Sequence, residues 1–187
     1  MKQIIFIKNM VCNRCESVLQ REFEKLKIKV YSIELGMVVV ELDGEETMRF
    51  IEQIIMQNGF EIIKEDGDIL VEKVKTLLID ALHQENRLKM SNSEFLSQQL
   101  HRDYSVISKL FSNRVGITIE KYFINLKIEK AKELIQMGDL SFSEIGYSLD
   151  YKNSSHLSKQ FKTIVGISMS TYKEEQIWNR KTFDQIV

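Results

Sequence analysis

The chain has 187 residues, 43% of them hydrophobic and 28% charged, a composition that excludes intrinsic disorder and a membrane-embedded protein and leaves room for one or two domains. A net charge of -1 excludes a protein that coats nucleic acid indiscriminately, yet it hides a split: residues 1–66 hold 9 Lys+Arg against 12 Asp+Glu, and residues 67–187 hold 17 against 15. Proline is absent, and the two cysteines, Cys12 and Cys15, sit three apart, which is no disulfide framework. Apolar runs such as Ile4-Ile5-Phe6-Ile7 are too short to span a bilayer and lack the flanks of a signal peptide, so a cytoplasmic protein is expected.

In chain order, Gln3–Ile7 is a β-branched and aromatic run, predicting a first strand. Val18, Leu19, Phe23 and Leu26 recur at helical spacing, predicting a helix over Cys15–Leu26. Two strands, Ile28–Leu35 and Met37–Leu42, follow around Gly36. Asp43-Gly44 signals a turn. Met48, Ile51 and Ile55 mark a second helix over Glu46–Asn58, with Asn58-Gly59 as its C-terminal cap. Phe60–Lys64 makes a fourth strand. The order β-α-β-β-α-β within one short stretch predicts an α+β, ferredoxin-like domain over residues 1–66.

The segment Met10-Val11-Cys12-Asn13-Arg14-Cys15 falls between the first strand and the first helix. Cysteines at i and i+3 in a loop entering a helix bring both sulfurs to one ion, and the helix N-terminus and Arg14 are expected to favour the thiolate. Two thiolates without a nearby His or carboxylate suit a soft, low-coordinate ion, Cu(I) first and Zn(II) next. The competing readings are small buried cysteines, a thioredoxin-like redox pair and a docking domain with idle thiols. The thioredoxin fold sets a cis-proline beside its pair, and this chain has none. Residues 1–66 resemble a heavy-metal-associated domain, whose loop reads Gly-Met-Thr-Cys-x-x-Cys. The resemblance implies that Cys12 and Cys15 hold the metal and that Met10 packs beneath the loop. Asn9 and Val11 replace the family's Gly and Thr, and Phe60 stands where the family often has an aromatic residue or Lys.

Beyond a short hinge at Glu65-Asp66-Gly67, Ile69, Leu70, Val74, Leu77, Leu78, Ala81 and Leu82 form a broad stripe that predicts a helix over Asp68–Arg87. The stripe is wider than a coiled-coil seam, so this helix is expected to open a second domain over residues 67–175. That domain carries an internal repeat. Ser108-Lys109-Leu110-Phe111 through Val115-Gly116-Ile117-Thr118 matches Ser158-Lys159-Gln160-Phe161 through Val165-Gly166-Ile167-Ser168, and Tyr122 and Tyr172 keep the same offset of 50 residues. Each copy reads as helix, turn, helix. Ser93 is predicted to cap Glu94–Leu100 before Ser105–Val115, and Ser143 to cap Glu144–Leu149 before Ser154–Val165, with Gly116 and Gly166 just past the helix ends.

Between the units, Ile119–Met137 predicts one uninterrupted helix of about 30 Å, close to the ~34 Å between successive major grooves on one face of a duplex. The second helix of each unit turns apolar residues inward: Val106, Ile107, Leu110, Phe111 and Val115 in one, Leu157, Phe161, Ile164 and Val165 in the other. Left outside are Ser105, Ser108, Lys109 and Ser112, and Ser154, Ser155, Ser158, Lys159 and Lys162. Short hydroxyls and lysines let a helix approach base edges and phosphates closely. A small bundle with solvated polar faces is the bland alternative. The repeat, the spacer and three lysines without an acid over residues 152–162 favour DNA.

Residues 69–175 closely resemble the DNA-binding domain of AraC/XylS-type transcription regulators. The residues that carry the likeness are Leu126-Lys127-Ile128-Glu129-Lys130-Ala131-Lys132-Glu133-Leu134, Phe142-Ser143-Glu144-Ile145-Gly146, Asp150-Tyr151 through Phe161-Lys162, and Gly166-Ile167-Ser168. The resemblance implies two helix-turn-helix units joined by a long helix, with base-facing positions at Ser105, Ser108, Lys109, Ser154, Ser155, Ser158 and Lys159. Asp150 replaces a glycine of the family's turn, Lys127 an arginine and Met169 a proline. The expected protein is a transcription regulator that binds a double-stranded promoter site as monomer or homodimer, touches RNA polymerase, and responds to Cu(I), Zn(II) or thiol state. A metal carrier with a helical docking module, and a regulator whose first domain only contacts protein, are the alternatives. His83, His101 and His156 lack the partners of a catalytic site, so no enzyme is expected. Residues 176–187 carry no signal.

Overall fold

A computed structural model of the protein describes residues 1–83, 90–176 and 178–186. Strand β1 (Lys2–Lys8) is followed by α1 (Asn13–Lys25), β2 (Val30–Glu34), β3 (Met37–Glu41), α2 (Glu45–Gln57) and β4 (Glu61–Ile63). The strands lie in the order β2-β3-β1-β4, every neighbouring pair antiparallel. Each helix thus carries the chain past one intervening strand, which is what two interleaved βαβ crossovers produce. Period-two alternation puts Ile5, Ile7, Val38 and Val40 on the face that receives Leu19 and Phe23 of α1 and Ile51, Ile54 and Ile55 of α2. Met10 is 1% exposed and belongs to this core.

The remaining helices are α3 (Asp66–His83), α4 (Asn92–Leu100), α5 (Tyr104–Val115), α6 (Ile119–Met137), α7 (Phe142–Ser148), α8 (Ser154–Val165) and α9 (Met169–Glu174). They build two cores. Val74, Leu78, Leu96, Ile107, Phe111 and the first half of α6 form one. Ile145, Leu157, Phe161, Tyr172 and the second half of α6 form the other. Among the described residues, no helix is long and apolar enough to cross a membrane.

Several local details differ from the sequence reading. Asp66 and Gly67 are the first residues of α3 and not part of an open hinge, and the predicted continuation of this helix over residues 84–87 lies outside the described residues. The caps are Ser91 and Ser141, not Ser93 and Ser143. A capping box needs its glutamate at the third helical position, and only the earlier serines stand at that distance from Glu94 and Glu144. Val106 was expected in the core and is 51% exposed. Residues 178–186, which carried no signal, lie along α6 and end in a single 3-10 turn, Phe183–Gln185.

Candidate nucleic-acid interface and thiol loop

The repeat in sequence is a repeat in burial. Ile107 and Leu157, Phe111 and Phe161, Ile119 and Met169, and Tyr122 and Tyr172 are all buried at the same offset. Both phenylalanines meet their tyrosine edge to face with centroids 5.5 Å apart. The exposed positions repeat as faithfully: Ser105 with Ser155, Val106 with His156, Lys109 with Lys159 and Asn113 with Thr163. Each helix therefore presents one polar strip, with a lysine at its centre, on the side away from its own core.

Among the predicted base-facing residues, Ser105, Lys109, Ser155, Lys159 and Lys162 are exposed. Ser108, Ser112, Ser154 and Ser158 are half-buried. The Ser108 hydroxyl donates to the Ser105 carbonyl at 3.3 Å, and the Ser158 hydroxyl lies 3.6 Å from Met169 Sδ. These serines thus spend part of their bonding capacity inside the protein. One strip residue, Val106, falls outside the sequence reading of the face, whereas His156 reads from the sequence as a packing or DNA-facing residue of its helix and is exposed. An apolar Val106 reads as inward, and only its offset to exposed His156 corrects that. His156 is fixed from two sides: Asn153 Oδ1 accepts its backbone N–H at 2.8 Å, and its ring meets Tyr151 edge-on at 5.6 Å.

The turn before α8 holds a strained residue. Asp150 has φ 59, a left-handed conformation that a side chain disfavours. Lys127 of α6 reaches the same turn, with Nζ 5.0 Å from the Phe123 ring centroid and 5.1 Å from that of Tyr151.

The cysteines stand where the sequence puts them, at the start of α1. Cys12 is its N-cap, Cys15 lies in its first turn, and the sulfurs are 3.8 Å apart. Two sulfurs at that distance on an ion with bonds of about 2.3 Å would subtend roughly 110°, near the tetrahedral angle, whereas opposite coordination would need about 4.6 Å. Among the described residues no group of three or more His, Cys, Asp or Glu gathers in a metal-holding cluster. Two soft donors fit an ion of low coordination, or one that takes its other ligands from outside the chain. The expected thiolate stabilisation does not hold at Cys15, whose thiol is raised on balance. Burial pushes the Cys15 thiol up; hydrogen bonds with the Val11 and Cys12 backbone oppose this, and the neighbouring Cys12 adds to the rise. Arg14 is exposed and is not among the groups that act on Cys15.

The thiol loop is docked on α3. The Asn9 N–H, with Asn9 itself at φ 73, donates to Glu72 Oε1 at 3.0 Å, and Val11 packs against the first helical core. Glu72 is 7% exposed, and burial raises its carboxyl above the ordinary range. On the adjoining surface, Arg114 in the last turn of α5 holds Glu65 at 3.0 Å and Asp68 at 2.8 Å.

Residues 96–175 match the family model described as a helix-turn-helix domain. The chain is 21% identical over 132 residues to an uncharacterized HTH-type transcriptional regulator of Bacillus subtilis, YtdP, covering 71% of this chain and 17% of that one. It is 26% identical over 80 residues to the Msm operon regulatory protein of Streptococcus mutans, covering 43% and 29%. The chain therefore spans less than a third of either relative's length. The C-terminal domain of AraT, a response regulator from Geobacillus stearothermophilus, superposes with a TM-score of 0.50 at 18% identity over 60% of this chain and 88% of that one, a likeness of fold. The relatives and this neighbour are named as regulators and not as enzymes.

Proposed function

We propose that the protein is a sequence-specific, DNA-binding transcription regulator of the AraC/XylS type, with an N-terminal ferredoxin-like unit of the heavy-metal-associated kind that adjusts DNA binding to a soft metal ion or to thiol state. The observation that carries the reading is the repeated exposure pattern: two lysine-centred helical strips, Ser105–Lys109 and Ser155–Lys159, on either side of a 19-residue helix. Such a helix is about 28 Å long, which suits successive major grooves ~34 Å apart. In this role Lys109, Lys159 and Lys162 pair with phosphate or guanine, and the serines make close polar contacts with base edges and the backbone. Helix-turn-helix regulators among the relatives support it. Contact with RNA polymerase, a cytoplasmic setting and a monomeric or homodimeric state belong to the same proposal.

Cys12 and Cys15 would supply two sulfur ligands to Cu(I) first or Zn(II) next. Their loop also makes the Asn9–Glu72 bond and the Val11 contact, so any shift in the sulfurs reaches α3 directly. A metal carrier must offer its thiol loop freely to a second protein. A loop seated on its own chain favours signalling over delivery.

The test is selection from a randomised duplex pool, with and without Cu(I) under reducing conditions, followed by a salt titration of the selected site. Enrichment of a site covering two adjacent major grooves is expected, with affinity that falls steeply with salt and changes with Cu(I). Absence of enrichment alongside tight Cu(I) binding would overturn the regulator. Cys12→Ser with Cys15→Ser leaving the Cu(I) response intact would overturn the sensor alone.

A further inference from the structure

We infer that residues 178–186 form a strap that fixes the placement of the two helix-turn-helix units relative to each other and so sets the half-site spacing the protein accepts; the second clause rests on the DNA-binding reading. Without this segment, the helical cores are joined mainly through α6. Its first half supplies Ile119, Tyr122, Phe123 and Leu126 to one core and its second half supplies Ile128, Ala131 and Ile135 to the other. Leu82 of α3 also packs against both. A single rod holds the two units in place only through its own stiffness, so bending or twisting of the helix would move one unit against the other.

The strap adds a second connection beside the rod. It starts at the second core, where Trp178 meets Tyr172 edge-on at 5.5 Å. It then follows α6 backwards. The Asn179 carbonyl accepts from Lys132 Nζ at 3.3 Å, the Lys181 N–H donates to Glu129 Oε2 at 2.9 Å, and Arg180 donates to Glu133 Oε2 at 2.8 Å and Gln136 Oε1 at 3.2 Å. It finishes in the first core, where Phe183 packs against the cluster and Ile186 is 3% exposed.

Glu129 and Lys132 show that this path is specified and not incidental. They pair at 2.8 Å with side chains 9% and 8% exposed. Ions taken so far out of water need more than each other, because desolvation outweighs one contact unless the remaining bonding positions are filled. Here the strap backbone fills one position on each ion. Two charged side chains on a linking helix are thereby matched to a neighbouring segment of defined course, which is anchored in the first core by Ile186 and rests on Tyr172 of the second through Trp178, itself 44% exposed.

The test uses the full chain with Trp178→Ala and Ile186→Ser combined, which releases both anchors. Arg180→Ala, which keeps the anchors, serves if the double variant does not fold. In a Cys12→Ser, Cys15→Ser background, spin labels at Asn113→Cys and Thr163→Cys report the distance between α5 and α8. A narrow distribution in the parent that broadens in the strap variant is expected; an unchanged distribution overturns the strap whatever the protein does with DNA. Duplexes carrying the selected half-sites at gaps varied one base pair at a time then test the second clause. The parent should show one sharp optimum, and the variant a flattened profile with about tenfold weaker binding at the optimum as the effective concentration of the second helix drops. A broadened distance with the sharp optimum retained overturns the spacing clause. Failure of the parent to select any duplex would count against the DNA reading, and the distances would still decide the strap.

Discussion

Replacing Tyr172 by phenylalanine should stabilise the protein. The residue is 0% exposed in the second helical core, with Phe161 and Trp178 each 5.5 Å away in edge-to-face contact. Phenylalanine would keep both contacts. The Tyr172 hydroxyl, by contrast, is buried and has no hydrogen-bond partner among the described residues. A polar group that gives up water without compensation costs about 1–3 kcal/mol. Removing one oxygen leaves a void of roughly 12 Å³, which at ~24 cal/mol per Å³ costs about 0.3 kcal/mol. The balance favours phenylalanine by about 0.7–2.7 kcal/mol, or roughly 1–11 °C in Tm for a protein of this size. Denaturant unfolding followed by circular dichroism, with the slope unchanged, measures it. Tyr104→Phe is the control: its hydroxyl donates to Glu120, so the same deletion should destabilise. If Tyr172→Phe lost about 1 kcal/mol or more at constant slope, the hydroxyl would have a partner and the reasoning from an orphaned O–H would fail.

Two further predictions concern Glu72, which seats the thiol loop, and Arg114, which bridges α5 to the start of α3. Burial raises the Glu72 carboxyl, against the opposing pull of Lys75 and the Asn9 N–H, so the folded protein keeps a proton that the unfolded chain releases near pH ~4.3. Stability linked to this group is therefore greatest below that pH and declines as pH rises through the raised folded value. Glu72→Gln keeps an acceptor for Asn9; it should melt with the parent in acid and above it toward neutrality, and melting curves parallel at every pH would refute this. Arg114→Ala breaks two bridges between half-exposed partners, so Tm should barely move. On the proposed function, Cu(I) would change DNA affinity less in this variant than in the parent, and titrations giving the parent's full Cu(I) effect would show that the bridge transmits nothing.

How much of this was legible in the sequence depends on where the information is stored. Buried periodicity is written in side chains, so α6 emerges with its predicted bounds, and the exposed lysines Lys109 and Lys159 follow from the repeat. Caps need a pair of residues at fixed distance, and a serine two residues too close to its glutamate looks equally good in the sequence. Val106 was lost by reading hydrophobicity one helix at a time; the offset to His156 held the correction. The strap was invisible for a different reason. Its central bonds use the Asn179 carbonyl and the Lys181 N–H, groups that every residue but proline carries, and they close over 47 and 52 residues of chain. The seat of the thiol loop is likewise a backbone N–H, from Asn9, on a carboxylate 63 residues away.

That seat also limits what a ligand at the cysteines can do. A ligand shifts an equilibrium only through contacts that differ between the two states. The loop's contacts with the helical part are the Asn9–Glu72 bond and the packing of Val11 on the first core. From Glu72 the connected groups run to Lys75, whose ammonium interacts with Glu72 and lies 5.8 Å from the Tyr122 ring, and from Tyr122 to Phe111 of α5 at 5.5 Å. Arg114 ties the same helix to Glu65 and Asp68. Every one of these contacts ends on the first helix-turn-helix unit. On the proposed mechanism, metal at Cys12 and Cys15 therefore changes reading by α5 most, and base substitutions in the half-site under α5 should alter the metal response more than equal substitutions under α8.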